Sequence, residues 1–204
     1  MNKKYKLTDE CINFYSRKLY RIKALVDFSY VKSGDLGGYV ESYNNLSQEG
    51  TCWICGDAIV CGNAIVDGSA IVYGSARVDG NAEVYGSAIV DGNAKVCGNA
   101  IVYGNAIVYG NAEVDGNAEV DGNAEVGEDA TIVSKTDYIV IGPIGSRNCF
   151  TTFYKCYDNS IRVICGCFRG SIDEFIDKVS KTHGDSKYAK EYNAACALAI
   201  IHIE

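Results

Sequence analysis

The chain of 204 residues has no long hydrophobic run and only two histidines, His183 and His202. No segment approaches the roughly 18 consecutive apolar residues that span a membrane, so we expect no transmembrane helix and no membrane partner. No apolar stretch follows the lysines near the N-terminus, which argues against a secretory signal and predicts a cytoplasmic protein. GxSxG, Walker and HExxH motifs are missing as well, and we therefore predict a non-enzymatic protein with no catalytic residue.

Cysteine is abundant, with ten residues, but the cysteines are scattered through a chain without an export signal. A reducing compartment leaves them as small hydrophobic side chains. Cys52 and Cys55 form a CxxC motif, yet the repeat described below predicts that Cys52 points inward and Cys55 outward. Cys165 and Cys167 flank Gly166 in a predicted strand, and two thiols without a second ligand pair make a weak metal site. We predict no metal and no cofactor.

Negative charge is concentrated in the middle of the chain. The formal net charge is −7, and residues 51–133 hold twelve acidic residues against Arg77 and Lys95, a balance of −10 that leaves +3 for the flanks. Phosphate affinity depends on Lys and Arg, so we expect no direct nucleic-acid binding, whereas a basic protein partner could be attracted. In the most acidic last repeats, solvated charge that blocks end-to-end stacking is favoured over a calcium or protein site.

A six-residue repeat dominates residues 51–133. An aliphatic residue recurs at every sixth position from Ile54 to Ile132. Two positions before it stands an alanine, except at Cys52, and two positions after it stands a glycine, from Gly56 to Gly122. Valine suits an extended, inward-facing position, alanine fits a crowded interior, and glycine and asparagine tolerate the backbone of a tight corner. One hexad cannot bury its own valine, so successive coils must stack. The repeat predicts a mainly β solenoid.

The Gly-Asn-Ala-x-Val-x pattern resembles the hexapeptide-repeat family. The resemblance implies a left-handed parallel β-helix with three hexads in each triangular coil, and the fourteen hexads found here would make between four and five coils. Many members of the family are trimers and acyltransferases that use a histidine at a subunit boundary. Because neither His183 nor His202 lies in the repeat, an acyltransferase-like enzyme is only an outside alternative.

Outward-facing positions taken every eighteen residues predict an apolar stripe along one face of the solenoid. The stripe and the aromatic residues beside it comprise Trp53, Ile71, Ile89 and Ile107 with Tyr73 and Tyr109. A continuous exposed apolar stripe on a rigid scaffold indicates an interface. We predict a homotrimer packed through these residues. The alternative is that the C-terminal segment folds back and covers this face.

The flanking segments follow other patterns. Residues 1–50 are predicted to form an irregular N-terminal cap on the first coil. Residues 138–204 are predicted to form a small α+β module in the order βββαα, with strands at 138–141, 149–157 and 161–168. A capping box at Ser171 opens a helix to about Thr182, and a second helix spans about 186–201. A module of this size is marginal alone, so we expect it to dock on the solenoid or on a neighbouring subunit.

The module also holds the candidate ligand site. A glycine-bearing turn at 142–148 and the start of the first helix supply hydrogen-bond donors, and the candidate residues are Ser146, Arg147, Asn148, Thr151, Tyr154 and Arg169. Backbone amides at the helix N-terminus, together with the two arginines, could hold a phosphate or another anion. The alternative is an ordinary glycine turn, polar strand faces and a helix cap.

Four strings outside the repeat period extend the resemblance to the whole chain. They are GDLGG at 34–38, NLSQEG at 45–50, GPIGSRN at 142–148 and CGCFRG at 165–170. With them the chain resembles accessory proteins encoded by phages and prophages. This implies a non-enzymatic oligomer acting against host defence by sequestering a small nucleotide signal or a host protein. The alternative is a structural or adaptor solenoid whose C-terminal module drives assembly.

Overall fold

The computed structural model describes residues 3–203 of the chain. Its first strands are β1 (Tyr5–Phe14), β2 (Arg17–Ala24) and β3 (Leu36–Val40). They pair antiparallel in this order, and β3 then runs parallel to the repeat, with Val40 beside Val60. Leu46 likewise bridges to Val66. The prediction of an irregular segment before residue 51 is wrong, because two long strands form there and the stacking register begins at Val40.

A two-residue insertion hid this first turn from the sequence pattern. Leu46 and Ile54 are separated by eight positions where the repeat has six. The extra residues lie in the corner 47–50, where the Gln48 side-chain oxygen accepts a hydrogen bond of 2.8 Å from the Lys4 backbone. The Lys4 ammonium donates to two backbone carbonyls of the same region. The insertion therefore breaks the period and at the same time attaches the N-terminal strand.

Each hexad of the repeat forms a two-residue strand whose second residue is the buried aliphatic one. The strands are β4 (Trp53–Ile54), β5 (Ile59–Val60), β6 (Ile65–Val66), β7 (Ile71–Val72), β8 (Arg77–Val78), β9 (Glu83–Val84), β10 (Ile89–Val90), β11 (Lys95–Val96), β12 (Ile101–Val102), β13 (Ile107–Val108), β14 (Glu113–Val114), β15 (Glu119–Val120), β16 (Glu125–Val126) and β17 (Thr131–Ile132). They stack in parallel, every third strand in the same sheet. The chain thus forms a β-solenoid of about five turns.

The interior of the solenoid is a stack of small and branched apolar side chains. The alanines and valines of the repeat are at most 1% exposed, and Cys52, which replaces an alanine, is fully buried as predicted. Full burial of one valine side chain contributes about 1.5–3 kcal/mol. Cys55 is half-buried, with its sulfur 3.6 Å from the Tyr30 hydroxyl. All cysteines of the described residues are free thiols.

Glycine and asparagine have different roles at the corners. The glycines from Gly56 to Gly122 have φ between +62° and +73°, a conformation that favours glycine. The corner asparagines do not adopt a positive φ. Their side chains instead bond to one another between coils, as in the donation from Asn63 to Asn81 at 2.9 Å and from Asn81 to Asn99 at 2.9 Å. The expectation that asparagine serves the corner through its backbone is therefore wrong.

The C-terminal residues form a four-stranded antiparallel sheet and two helices. They are β18 (Tyr138–Ile144), β19 (Cys149–Lys155), β20 (Ile161–Cys165), β21 (Phe168–Ser171), α1 (Ile172–His183) and α2 (Lys187–Ile203). The predicted strand 161–168 is wrong, because Gly166, with φ +59°, and Cys167 form a turn between β20 and β21. The predicted capping box is confirmed: the Glu174 amide donates to the Ser171 hydroxyl at 3.2 Å.

The sheet stands between the last coil of the solenoid and the two helices. Tyr154 and Ile164 on one face join the solenoid core, whereas Phe153 and Val163 on the other face pack with the helices. The backbone amide of Glu125 in the solenoid donates to the Thr152 hydroxyl at 3.1 Å. None of the helices in residues 3–203 has the length and hydrophobicity needed to cross a membrane.

Candidate functional site

The predicted apolar stripe is covered at its N-terminal end. Trp53 is only 2% exposed, because Phe28 packs edge-on against it with ring centres 5.4 Å apart and Tyr5 packs at 6.2 Å. The prediction that Trp53 is part of an exposed surface is wrong. The residues that cover it precede the repeat, whereas the alternative prediction placed the C-terminal segment there.

The middle of the stripe remains accessible in the single chain. Ile71, Ile89 and Ile107 lie side by side on successive rungs and are half-buried, and Tyr73 is 38% exposed. Tyr109 meets the C-terminal module, where its hydroxyl accepts a hydrogen bond of 2.7 Å from a side-chain nitrogen of Arg169. The homotrimer stays a prediction, and the surface available for it is shorter than the sequence pattern indicates.

A cavity of about 210 Å³ lies on the helix side of the C-terminal sheet. The turn after β18 contributes Arg147, and α1 contributes Lys178 and His183. These side chains bring a guanidinium, an ammonium group and an imidazole to one small space. No acidic residue is among those that line the cavity in the described part of the chain. The cavity is therefore suited to an anion, although the protein as a whole is acidic.

Sulfur and hydroxyl groups complete the wall of the cavity. Cys149, Cys165 and Cys167 all line it. The Thr151 hydroxyl donates to the Cys165 sulfur at 3.3 Å, and that sulfur lies 3.9 Å from the Tyr192 hydroxyl. Burial, and next the neighbouring Cys165, raise the pKa of Tyr192 to about 12. Tyr192 is thus a protonated phenol at neutral pH and can donate a hydrogen bond to a ligand.

Aromatic packing and a glycine hold these groups in place. The His183 ring lies 6.0 Å from the ring of Tyr188 and 5.8 Å from that of Tyr192. Gly145 has φ +72°, and a β-carbon there would stand 1.9 Å from the Tyr192 hydroxyl oxygen. The glycine turn is therefore fitted against Tyr192. The Gly145 amide donates a hydrogen bond of 2.8 Å to the Glu191 carboxylate, which attaches the turn to α2.

Four of the six predicted ligand residues lie at or near this cavity. Ser146 and Arg147 line it. Asn148 is in the adjacent turn with φ +51°. Thr151 is fully buried, and its hydroxyl is bonded to the sulfur of Cys165.

Tyr154 and Arg169 lie on the opposite face of the sheet. Tyr154 is 1% exposed in the core shared with the solenoid. Arg169 is bonded to Tyr109, and its guanidinium is 3.8 Å from the Glu125 carboxylate. The structure therefore does not bring Arg147 and Arg169 into one site. The N-terminus of α1 is also occupied, because the Glu174 carboxylate accepts a hydrogen bond of 2.8 Å from the Ser171 amide.

Sequence reasoning missed Lys178, His183 and Tyr192. His183 was considered only as a possible catalytic histidine and set aside because it lies outside the repeat, and Lys178 was not considered as a candidate. The sequence did contain a signal for this helix face. Thr182 follows Lys178 by four positions and Val179 by three, so the three side chains lie on one face of the helix. That face reaches from the apolar core to the polar groups of the cavity.

One further group of polar side chains lies on the solenoid. Donor atoms of Cys97, Glu113 and Asp115 lie within 4.8 Å of one another. The Lys95 ammonium is 3.7 Å from the Glu113 carboxylate and partly balances its charge. Burial, followed by Asp115, raises the pKa of Cys97 to about 12, so this residue is a neutral thiol at neutral pH.

No known protein family has a model that matches the chain. No curated protein is significantly similar to it. The functional assignment therefore rests on the fold and on the side chains described above.

Proposed function

We propose that the protein is a non-enzymatic binding protein that holds a small anionic ligand in the C-terminal cavity. The observation that carries this proposal is the grouping of Arg147, Lys178 and His183 around a space that no acidic side chain of residues 3–203 lines. Salt bridges to the protein's own carboxylates are the common way to neutralise such cations. In this cavity an anionic ligand would supply the opposite charge and accept hydrogen bonds from these groups.

The size and donors of the cavity favour a phosphate-bearing ligand. A volume of about 210 Å³ is below the roughly 300–1,000 Å³ of pockets that enclose a drug-sized molecule. A phosphate group with part of its sugar or base would fit, with the remainder outside. The planar guanidinium of Arg147 can bind two phosphate oxygens, whereas Lys178 supplies a point charge. The Tyr192 hydroxyl adds a neutral donor. A nucleotide signal is our preferred ligand class.

The remaining parts of the proposal concern the scaffold and the setting. We propose that the solenoid is a left-handed β-helix of the hexapeptide-repeat type, that residues 1–50 cap it, and that three copies associate through the accessible stripe at Ile71, Tyr73 and Ile89. In this proposal the protein is a phage-type accessory protein that acts in the cytoplasm of the host cell against its defences. The repeat pattern and the half-exposed stripe support the first part, and the resemblance of the flanking strings supports the second.

A second candidate is a structural adaptor assembled through its C-terminal module. The observation that favours it is an apolar outer face on α2, where Leu198 is 49% exposed and Ile201 is 73% exposed. Ala194 and Ala197 lie three to four residues away and are exposed as well. Sedimentation of an Ile201→Glu variant distinguishes the candidates, because the adaptor would dissociate while a trimer held by the solenoid stripe would not.

Native mass spectrometry and titration calorimetry with inorganic phosphate and a panel of mono-, di- and cyclic nucleotides test the binding proposal. Loss of a hydrogen bond to a charged group costs about 1.5–3 kcal/mol, so Arg147→Ala should weaken binding roughly 10- to 100-fold. Arg169→Ala is the matched control, because it removes an arginine of the same sheet outside the cavity. Equal losses in both variants, or no binding of any phosphate compound, would contradict the proposal.

A further inference from the structure

We propose that Cys167 is an oxidant-reactive thiol and that Cys149 is the cysteine with which it forms a disulfide. Both residues are exposed and both line the cavity described above. Formation of this disulfide would join β19 to the β20–β21 turn at the cavity wall. The site would then bind its ligand only in the reduced protein.

The surroundings of Cys167 match those of reactive cysteines. Its sulfur lies 3.9 Å from a guanidinium nitrogen of Arg147, and Lys178 and His183 line the same space. Reactive thiols in proteins are partly exposed and lie in electropositive environments, whereas buried thiols in apolar environments are inert. Position 167 is the last residue of a two-residue turn, so no strand pairing restricts its side chain.

Cys149 is the thiol best placed to react with an oxidised Cys167. The Cys149 sulfur donates to the Arg147 carbonyl at 3.3 Å, so both sulfurs flank Arg147. In the ladder between β19 and β20, Thr151 is opposite Cys165. Cys149 is the first residue of β19 and Cys167 lies in the turn that follows β20, so the two cysteines lie at the same edge of the sheet, next to the cavity that both line.

The other cysteines are less suited to this reaction. Cys165 is half-buried, and its sulfur is engaged with Thr151 and Tyr192. Burial raises the pKa of Cys156 and of Cys196 to about 11 in each case. Their thiols are neutral at physiological pH and shielded from solvent. Reaction with an oxidant should therefore begin at the cavity.

A peroxide supplies the two oxidising equivalents that the reaction needs. The Cys167 sulfur attacks one peroxide oxygen, the O–O bond breaks, and the products are a sulfenic acid and one water molecule. The Cys149 sulfur then attacks the sulfur of the sulfenic acid, and the hydroxyl group leaves with the Cys149 proton as a second water molecule. The two sulfurs together lose two electrons and two protons, and one peroxide is reduced to two waters.

The effect on ligand binding follows from the position of Arg147. Its side chain lies over the β20–β21 turn, with one guanidinium nitrogen 3.4 Å from where a β-carbon of Gly166 would stand. A bond between the flanking sulfurs would draw the turn toward β19 and displace the guanidinium. We expect the oxidised protein to bind phosphate compounds at least 10-fold more weakly. This step rests on the proposed function, whereas disulfide formation does not.

Treatment of the fully reduced protein with one equivalent of hydrogen peroxide tests disulfide formation. Intact mass should fall by about 2 Da, and peptide mapping should join the peptides that contain Cys149 and Cys167. Cys167→Ser and Cys149→Ser should each abolish the joined peptide, and Cys11→Ser, which removes an exposed thiol of β1, should leave it unchanged. A disulfide between other cysteines, or alkylation of Cys167 no faster than that of Cys11, would overturn the proposal.

A second measurement separates this inference from the proposed function. Phosphate and nucleotide affinity is measured before and after oxidation, and again after reduction with dithiothreitol. If the disulfide forms but the reduced protein binds no phosphate compound, the proposed ligand is refuted and the proposed disulfide between Cys149 and Cys167 is not. Binding that is unchanged by a mapped Cys149–Cys167 disulfide would refute the gating.

Discussion

Two corner glycines allow the cost of a positive φ to be separated from the cost of a steric clash. Gly50 and Gly122 have φ of +63° and +62°, so a substitution by alanine imposes nearly the same backbone conformation at both. A β-carbon at Gly50 would stand 2.3 Å from the Gly68 carbonyl oxygen in the next coil, whereas a β-carbon at Gly122 would meet nothing within 4 Å. The difference between the two variants therefore measures contact between coils.

The expected magnitudes follow from these geometries. The left-handed conformation costs a residue with a β-carbon about 1–2 kcal/mol, and part of this is offset because alanine restricts the unfolded chain. We expect Gly122→Ala to lower the free energy of unfolding by about 1 kcal/mol. The Gly68 oxygen belongs to a backbone held in the coil-to-coil ladder, so Gly50→Ala must also separate two rungs. Overpacking of this kind adds about 1–3 kcal/mol, for a total of about 2–4 kcal/mol.

Urea unfolding followed by two probes checks this prediction. Trp53 is the only tryptophan and is buried close to Gly50, so its fluorescence reports on the N-terminal coils, while far-ultraviolet circular dichroism reports on the whole solenoid. Both probes are needed because long repeats can lose cooperativity. Equal losses in the two variants would refute the argument from contact between coils. An unchanged stability of Gly122→Ala would refute the argument from backbone conformation.

Three further substitutions test separate parts of the structure. Phe28→Ala should lower the unfolding free energy by about 2–3 kcal/mol, less than for a fully buried phenylalanine because Phe28 is half-buried. It should also shift Trp53 emission to longer wavelength, because the indole loses its cover. Cys52→Ala should change stability by less than about 1 kcal/mol in thermal unfolding, because alanine fills the same position in the other repeats. A backbone hydrogen bond from Gly62 lowers the pKa of Glu41 below its ordinary value of 4.5. The ionised Glu41 therefore stabilises the fold above pH 4.5, and this stabilisation is lost as the pH falls through the lowered pKa. Glu41→Gln should therefore be destabilised at pH 7 and match the unsubstituted protein in acid.

The repeat could be predicted closely because the residue type at each position of the hexad follows from one local structural constraint. Alternation places alanine and valine inside, glycine marks the corner, and every hexad repeats the same information. The first turn was missed because the insertion at 47–50 removes the period at one point, although Val40 and Leu46 keep their places in the stack. Trp53 was assigned to the surface because its repeat position faces outward. Only the folded structure shows that Phe28 lies over it.

The candidate site was harder to predict because it is assembled from distant segments. Arg147 comes from a turn, His183 from the end of α1 and Tyr192 from α2, and no spacing in the sequence links them. The two-residue turn at Gly166 was hidden in an apparently continuous strand. That turn determines which side chains of β21 face the solenoid, and Arg169 is one of them. Alternation along a strand predicts faces only after the turns have been placed correctly.

The position of the sheet explains how an acidic protein can keep a cavity available to anions. Residues 51–133 carry a net charge of −10, and a cation that faces them is neutralised, as Arg169 is by Glu125. Arg147 lies on the other side of the same sheet, where none of the described residues that line the cavity is acidic. The buried layer formed by Phe153 and Val163 separates the two environments. If this separation is essential, Thr182→Glu, which introduces a carboxylate at the cavity wall, should abolish anion binding without altering the fold. Thr131→Glu, which introduces a carboxylate on the solenoid, should not affect binding.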